Sequence, residues 1–349
     1  MNKNPLDKAI LPSTESVLEL LKLDPGAIKL MKARSKRLQY RAVINWLTHY
    51  KCPPEVNDNL ELVKGYVEAF YHLAAVEDWE RASKILTIKV PPINEDLDTQ
   101  LMRWGYYEEC IQLYSRLLGK LDHYWDSICL SGLGIAYDTL GEYEKAINYH
   151  QQYLQIAGET GDRSGEGAAL GNLGITYYSL GEYDKAINYH QQCLQIAREI
   201  GNRSGESSAL GNLGNAYLFL GEYDKAINYH QQCLQIAREI GNRSEEGSAL
   251  GNWGVALLKL EKYAESLEYS QAALEIFKQI GNPHRQAIAL KNIAESHQHL
   301  ENLDAARQYC DEAIAIFTEL GVPELKECQE LREKLGPDTD FATDAGMVN

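Results

Sequence analysis

Gly181–Ser204 reads GEYDKAINYHQQCLQIAREIGNRS, and Gly221–Ser244 repeats it letter for letter. Outward from this pair, Ser131–Leu170 is a close relative of the forty-residue copies Gly171–Leu210 and Gly211–Leu250. Gly251–Leu290 and the stretch from Lys291 are fainter ones. A fixed period of this size marks a repeat array, so the fold follows from one unit and the way copies stack.

The unit is two helices. Leu170, Leu173, Gly174, Tyr177 and Gly181 share one helical stripe, as do Tyr183, Ala186, Ile187, His190, Cys193, Leu194 and Ala197. Leu180-Gly181-Glu182 separates the two helices, and Gly201 stops the second. Asp162, Asn202 and Asn242 stand where an N-cap is needed, and Glu245 has capping-box spacing from Asn242. Gly174, Gly214, Ala146, Ala186 and Ala226 are expected to leave room for Tyr143, Tyr183 and Tyr223 to pack across. A single helix pair cannot bury its apolar stripe, so copies must stack.

The string L-G-x-x-Y-x-x-x-G-x-Y-x-x-A-I, at Leu173–Ile187 and Leu213–Ile227, resembles the tetratricopeptide repeat (TPR) signature. The forty-residue period and the G-N-L-G openings at Gly171 and Gly211 resemble the longer subclass of LGN/Pins-type polarity adaptors and bacterial signalling proteins. The resemblance covers Ser131–Leu250 closely and continues to about Leu331. It implies an all-α fold, a right-handed α-solenoid of stacked antiparallel helix pairs. HEAT repeats and WD40 blades share the period. The glycine–tyrosine–alanine spacing and the absence of alternating strand patterns argue against both.

Along the 349-residue chain this gives an N-terminal helical region with a basic segment over 1–59 and degenerate helix pairs over 60–130. Five units of about forty residues then fill 131–331, and 332–349 is expected to be a flexible tail. Ser13-Thr14-Glu15-Ser16 caps a short helix carrying Val17, Leu18, Leu20 and Leu21. Cys52-Pro53-Pro54 and Pro91-Pro92 are breaks, and Trp79 and Ala82 stand where the good repeats have tyrosine and alanine.

The formal charge of −16 argues against a nucleic-acid binder, because neutralising phosphates takes clustered Lys and Arg. Between Pro25 and Pro54, however, Lys29, Lys32, Arg34, Lys36, Arg37, Arg41 and Lys51 meet no acidic residue, which leaves the rest at −23. Lys32, Arg34, Lys36 and Arg37 are therefore a candidate secondary docking surface, set against the plainer reading of a solvated helix face. Seven cysteines without a C-x-x-C pair read as reduced core thiols of a cytoplasmic protein. No apolar run is long enough for a membrane span.

Function must come from surfaces. The resemblance implies a concave groove lined by first helices, whose positions carry over to Asn172, Tyr178, Asn212, Asn215, Leu218, Phe219, Asn252, Leu258 and Asn292. Asn172, Asn212, Asn252 and Asn292 recur as a ladder, and side-chain amides both donate and accept, which suits the backbone of an extended peptide. The twin repeats act as an internal control. Between Gly171–Ser204 and Gly211–Ser244 the differences are Ile175/Asn215, Thr176/Ala216, Tyr178/Leu218 and Ser179/Phe219, and three of the four fall on groove positions. The polarity adaptors carry an arginine four residues before the ladder asparagine; here Ala168, Ser208, Ser248 and Ile288 stand there, so their acidic ligand does not carry over.

His150, His190 and His230 recur once per second helix, too far apart to share one zinc, and read as core-edge histidines. Arg163, Arg203 and Arg243 recur in the loops and are expected to be structural. No nucleophile–base pair or nucleotide loop survives its context, so the expectation is a non-enzyme without cofactor or metal. It would bind a protein partner, as peptide segment or helix, in the groove. The alternative is a regulatory or sensing arm of a separate signalling ATPase or protease.

Overall fold

The computed structural model describes residues 11–53, 58–91 and 93–337. The expectations placed on 1–10, Pro54, Pro92 and the tail beyond 337 lie outside the described residues. The chain divides into two compact units, Met1–Asn172 and Leu173–Asn349.

The first unit begins with α1 (Thr14–Leu20), α2 (Pro25–Lys29) and α3 (Arg34–His49), followed by α4 (Asn59–Ala74) and α5 (Trp79–Leu86). A two-residue hairpin, β1 (Lys89–Val90) and β2 (Glu95–Asp96), leads into the short α6 (Leu97–Arg103) and α7 (Tyr107–Leu117). Then come α8 (His123–Thr139), α9 (Tyr143–Thr160) and α10 (Arg163–Ser179), the last of which runs into the second unit. The second unit continues through α11 (Tyr183–Glu199), α12 (Arg203–Phe219), α13 (Tyr223–Ile240), α14 (Arg243–Lys259), α15 (Tyr263–Gln279), α16 (Pro283–His299), α17 (Leu303–Leu320) and α18 (Glu324–Lys334). Within each unit consecutive helices pack on each other, α7 on α8 and α8 on α9 in the first and α11 through α18 in the second, so the fold is all-α, built of solenoid-type helix pairs.

The helix ends follow the sequence chemistry. Asp162, Asn202 and Asn242 accept from Gly165 N–H at 2.9 Å, Gly205 N–H at 2.9 Å and Glu245 N–H at 3.1 Å. Gly201 adopts φ +69°, the left-handed conformation that ends a helix at little cost to glycine. Glu245 does not close the capping box, because its Oε1 accepts from Ser208 Oγ at 2.5 Å.

The first-helix glycines correct one expectation. A Cβ on Gly134, Gly174 or Gly214 would lie 2.2–2.8 Å from the ring atoms of His150, His190 or His230. The space is therefore filled by imidazole, not by Tyr143, Tyr183 or Tyr223. The histidines are also fully buried rather than at the core edge. Each glycine precedes its histidine by sixteen residues, and at the same spacing stand Gly254 with Ser270 and Ala294 with Cys310. Opposite Cys310 the first position carries the methyl group of Ala294, whereas a Cβ on Gly254 would still lie 2.7 Å from Ser270 Oγ.

A second periodic contact fastens each pair. Tyr137 stacks on Tyr149, Tyr177 on Tyr189 and Tyr217 on Tyr229, at 5.3–5.5 Å and within 4° of parallel. Lys145, Lys185 and Lys225 lie 4.8–5.0 Å from the centroids of Tyr137, Tyr177 and Tyr217. Where Leu257 replaces that tyrosine, Trp253 stacks on Tyr269 instead, at 4.3 Å. Where the position is His297, its ring stacks on Tyr309.

Arg203 donates from Nη1 to the buried Glu206 at 2.5 Å and pairs with Glu239, while Arg198 reaches the other Glu206 oxygen at 2.8 Å. Burial would raise the Glu206 carboxyl, but these two guanidiniums hold it below the usual range. Arg238 and Arg243 repeat the clamp on Glu246, so the recurrent loop arginines bind carboxylates rather than carbonyls. Leu173 is fully buried on α10. Leu173→Ala should cost about 2–5 kcal/mol, read as a lower urea midpoint at unchanged slope.

Candidate functional site

Two of the positions that differ between the twin repeats, Tyr178 and Phe219, meet in the second unit. Phe219, at the end of α12, is 60% exposed, a large apolar group left in water. Two rings hold it. Tyr178, near the end of α10, meets it edge-on at 5.4 Å and 87°, and Tyr183, opening α11, lies 5.5 Å away at 27°. Tyr178 and Tyr183 also contact each other at 5.5 Å. Burial, with a contribution from Tyr183, pushes the half-buried Tyr178 hydroxyl up to about 12, so it stays a neutral donor across the physiological range.

Tyr183 is a site residue that sequence reasoning assigned to packing alone. The signal was available in the period. Tyr183 precedes Phe219 by thirty-six residues, and Tyr263 precedes His299 by the same number. The exposed His299 ring stacks on Tyr263 at 4.3 Å and 2°, so a planar side chain closing one first helix rests on the tyrosine that opens the preceding second helix.

Beside the aromatic group lie the amides. Asn252 on α14 donates from Nδ2 to Asn215 Oδ1 on α12 at 2.7 Å, joining the ladder position of one repeat to the variable position of the one before. Both are half-buried. The paired amides retain, in their chemistry, Asn252 Oδ1 as acceptor and Asn215 Nδ2–H as donor. Asn212 and Leu218 are half-buried on α12, and Asn172 is half-buried in the first unit. Asn292 and Leu258, in contrast, are 8% and 7% exposed. Leu258 follows the buried Ala256 and Leu257, and α16 packs over α14, so the covered face of α14 is wider than one helical stripe. The residues brought together at a surface are thus Tyr178, Phe219, Asn215 and Asn252, with Leu218 beside Phe219 in the chain.

In the first unit the ladder position falls on Gly132, where a Cβ would lie 2.3 Å from the Tyr114 ring. Tyr114 donates to the buried Asp98 at 3.0 Å, and burial pushes that carboxyl up. They line a cleft of about 430 Å³ with Tyr124, Ile135 and Tyr153. On the basic segment Lys32, Arg34 and Lys36 are exposed, whereas Arg37 donates to the Met31 carbonyl at 2.9 Å. Leu30 and Leu38 stand among them, 83% and 53% exposed. Among the described residues no helix is long and apolar enough to cross a membrane.

The family model described as Tetratricopeptide repeat matches residues 105–159, 165–239 and 245–324. Among solved structures, the chain is similar to the Signal Transduction ATPase with Numerous Domains (STAND) protein with a tetratricopeptide repeat sensor from Pyrococcus horikoshii. That match has 21% identity and a TM-score of 0.62, covering 95% of this chain and 50% of that one, so the chain spans half the length of the STAND protein. Aspartyl phosphate phosphatase F from Bacillus subtilis is similar at 18% identity and TM-score 0.57, over 97% of this chain and 82% of that one. A Rap protein complexed with Competence and Sporulation Factor matches at 14% identity and TM-score 0.53, over 92% and 99%. At these identities the likeness is one of fold. Among curated proteins no relative matches.

Proposed function

The chain belongs to the tetratricopeptide repeat family, and on that premise we propose that it is a protein-interaction adaptor, not an enzyme, gripping a peptide segment or helix of a partner on the first-helix face of its second unit. The observation that carries this reading is Phe219, exposed and steadied by Tyr178 and Tyr183, at a position where the twin repeats diverge. Drift on an exposed helix explains scattered change. It does not explain Leu218 and Phe219 replacing Tyr178 and Ser179 while the packing face changed at one position alone, Thr176 to Ala216. In this role the aromatic group is the anchor, and the Asn215–Asn252 pair supplies one donor and one acceptor to a partner's main chain. Asn212 and Leu218 extend the contact; Asn172, in the first unit, and the buried Asn292 and Leu258 are secondary.

Capture from native lysate, read by mass spectrometry, tests the amides. Changing Asn212, Asn215 and Asn252 together to Ala removes both ends of the Asn215–Asn252 bond, so the melting temperature should move little. Capture should fall by about tenfold; retention of the same partner at wild-type yield refutes the assignment.

A second reading, a regulatory or sensing arm of a separate signalling ATPase or protease, is favoured by Leu30 and Leu38, exposed beside Lys32, Arg34 and Lys36. A TPR sensor joined to an ATPase, as in the Pyrococcus horikoshii protein, is the kind of arrangement meant. Changing Lys32, Arg34, Lys36 and Arg37 to Glu should then release a bound enzyme, and undiminished binding counts against it.

A further inference from the structure

We propose that Cys310 and Cys328 form a reversible disulfide that fastens α18 to α17 when the protein meets a peroxide. Both side chains are fully buried, and their Sγ atoms lie 3.6 Å apart across the two helices. The contact is reciprocal: Cys310 Sγ lies 3.3 Å from the Cys328 carbonyl oxygen, and Cys328 Sγ lies 3.7 Å from that of Cys310. Two polar anchors set the register that makes them meet. Arg332 donates to Asp311 at 2.7 Å, and Arg307 donates from Nη2 to the Leu335 carbonyl at 3.0 Å. A disulfide needs sulfurs about 2 Å apart, so the two Sγ atoms must close by about 1.5 Å. Elsewhere the thiols point at other groups, Cys110 at the Asp98 carbonyl and Cys233 at Ser207.

The environment divides the roles. The hydrogen bond from the Cys310 thiol draws Cys328 below the ordinary thiol range against the effect of burial, and the Lys291 ammonium acts in the same direction; Cys310, holding the shared proton, is pushed up. Cys328 is therefore the attacking thiolate. It attacks one peroxide oxygen and the O–O bond breaks, the departing hydroxide leaving as water after taking a proton. The sulfenic acid left on Cys328 is attacked by Cys310 sulfur, and a second water leaves. Two thiols give up two electrons and two protons, and one peroxide becomes two waters. Access comes from α18 itself, which has only Cys328 and Leu331 buried along its eleven residues and opens locally at lower cost than the longer helices. Once bonded, α18 stays on α17 and the covering of the core at that end of the second unit is fixed.

The test uses the full-length chain, reduced and then exposed to hydrogen peroxide. The intact mass should fall by two hydrogens, peptide mapping should join Cys310 to Cys328, and a dithiol reductant should restore both. Amide exchange in α18 should slow by about tenfold or more on oxidation, and should not slow in Cys328→Ser. The wild-type mapping stands by itself if the variant fails to fold. Two free thiols at these positions after peroxide treatment, or oxygen added at Cys328 without the cross-link, overturns the proposal.

Discussion

Taking the protein from about pH 7.5 to about pH 5 should remove about 4 kcal/mol of stability from the second unit through two buried histidines, and about 2 kcal/mol through one in the first unit, less what the raised Asp98 carboxyl returns there. The cause is the histidine series. His150, His190 and His230 are sealed against Gly134, Gly174 and Gly214, and burial lowers each from the ordinary 6.5 to about 4. Nδ1 of all three, and Nε2 of His230 as well, have no hydrogen-bond partner. The folded chain thus holds neutral imidazoles where the unfolded chain would take up protons. Above about pH 6.5 neither state binds these protons and stability is whole; it falls as the pH drops from 6.5 towards 4, where the folded imidazoles begin to charge. Carboxylates such as Glu206 and Glu239, held below their ordinary value of 4.5, add their own loss only as the pH falls through that value, whereas Asp98, raised by burial, acts in the opposite sense in the first unit. Urea midpoints measured across it should decline, and His190→Ser with His230→Ser should flatten the decline of the second unit. A midpoint independent of pH down to 5 would show that the imidazoles are not sealed in solution.

Gly214→Ala should destabilise the second unit by about 1–3 kcal/mol, although alanine is the better helix former by about 1 kcal/mol. The new Cβ would lie 2.5 Å from His230 Cε1 and 2.7 Å from both ring nitrogens, and a fully buried ring has nowhere to yield. Adding His230→Cys should recover most of the loss, since Ala294 and Cys310 are that combination at the same sixteen-residue spacing. A double-mutant cycle measures the coupling. Additive effects would mean that the glycine and the imidazole do not share the space.

The repeat itself made the fold legible. Two identical copies fix the period, the two apolar stripes fix the helix pair, and Asp162, Asn202 and Asn242 mark helix starts that the structure realises. What the stripes could not give was the partner of each residue across the interface. Helical spacing says which face Gly174 occupies, not whether a tyrosine or an imidazole comes to it. That choice is made by the axial offset of the two helices, and only the sixteen-residue recurrence of glycine with histidine hinted at it. The same gap explains the surface. Phe219 was legible because it is one of four departures from an otherwise exact copy. Leu258 and Asn292 were assigned by equivalence, but how far burial spreads around α14 and α16 depends on the neighbouring repeat, whose side chains differ there from the twins. Tyr183 was missed as a site residue because its own helix uses it in a packing stripe, while its ring also supports a side chain thirty-six residues on.

The most direct measurement of the central claim compares partner capture by the wild-type chain and by Phe219→Ser, with the melting temperature of each taken in parallel. Phe219 is mostly in water, so the fold should hold its melting temperature to within a few degrees. As an anchor steadied by two tyrosines it should account for about 2 kcal/mol of binding, a loss of about thirtyfold in affinity. Equal affinity from an equally stable Phe219→Ser chain would contradict the assignment and move the binding surface away from the face where the twin repeats differ.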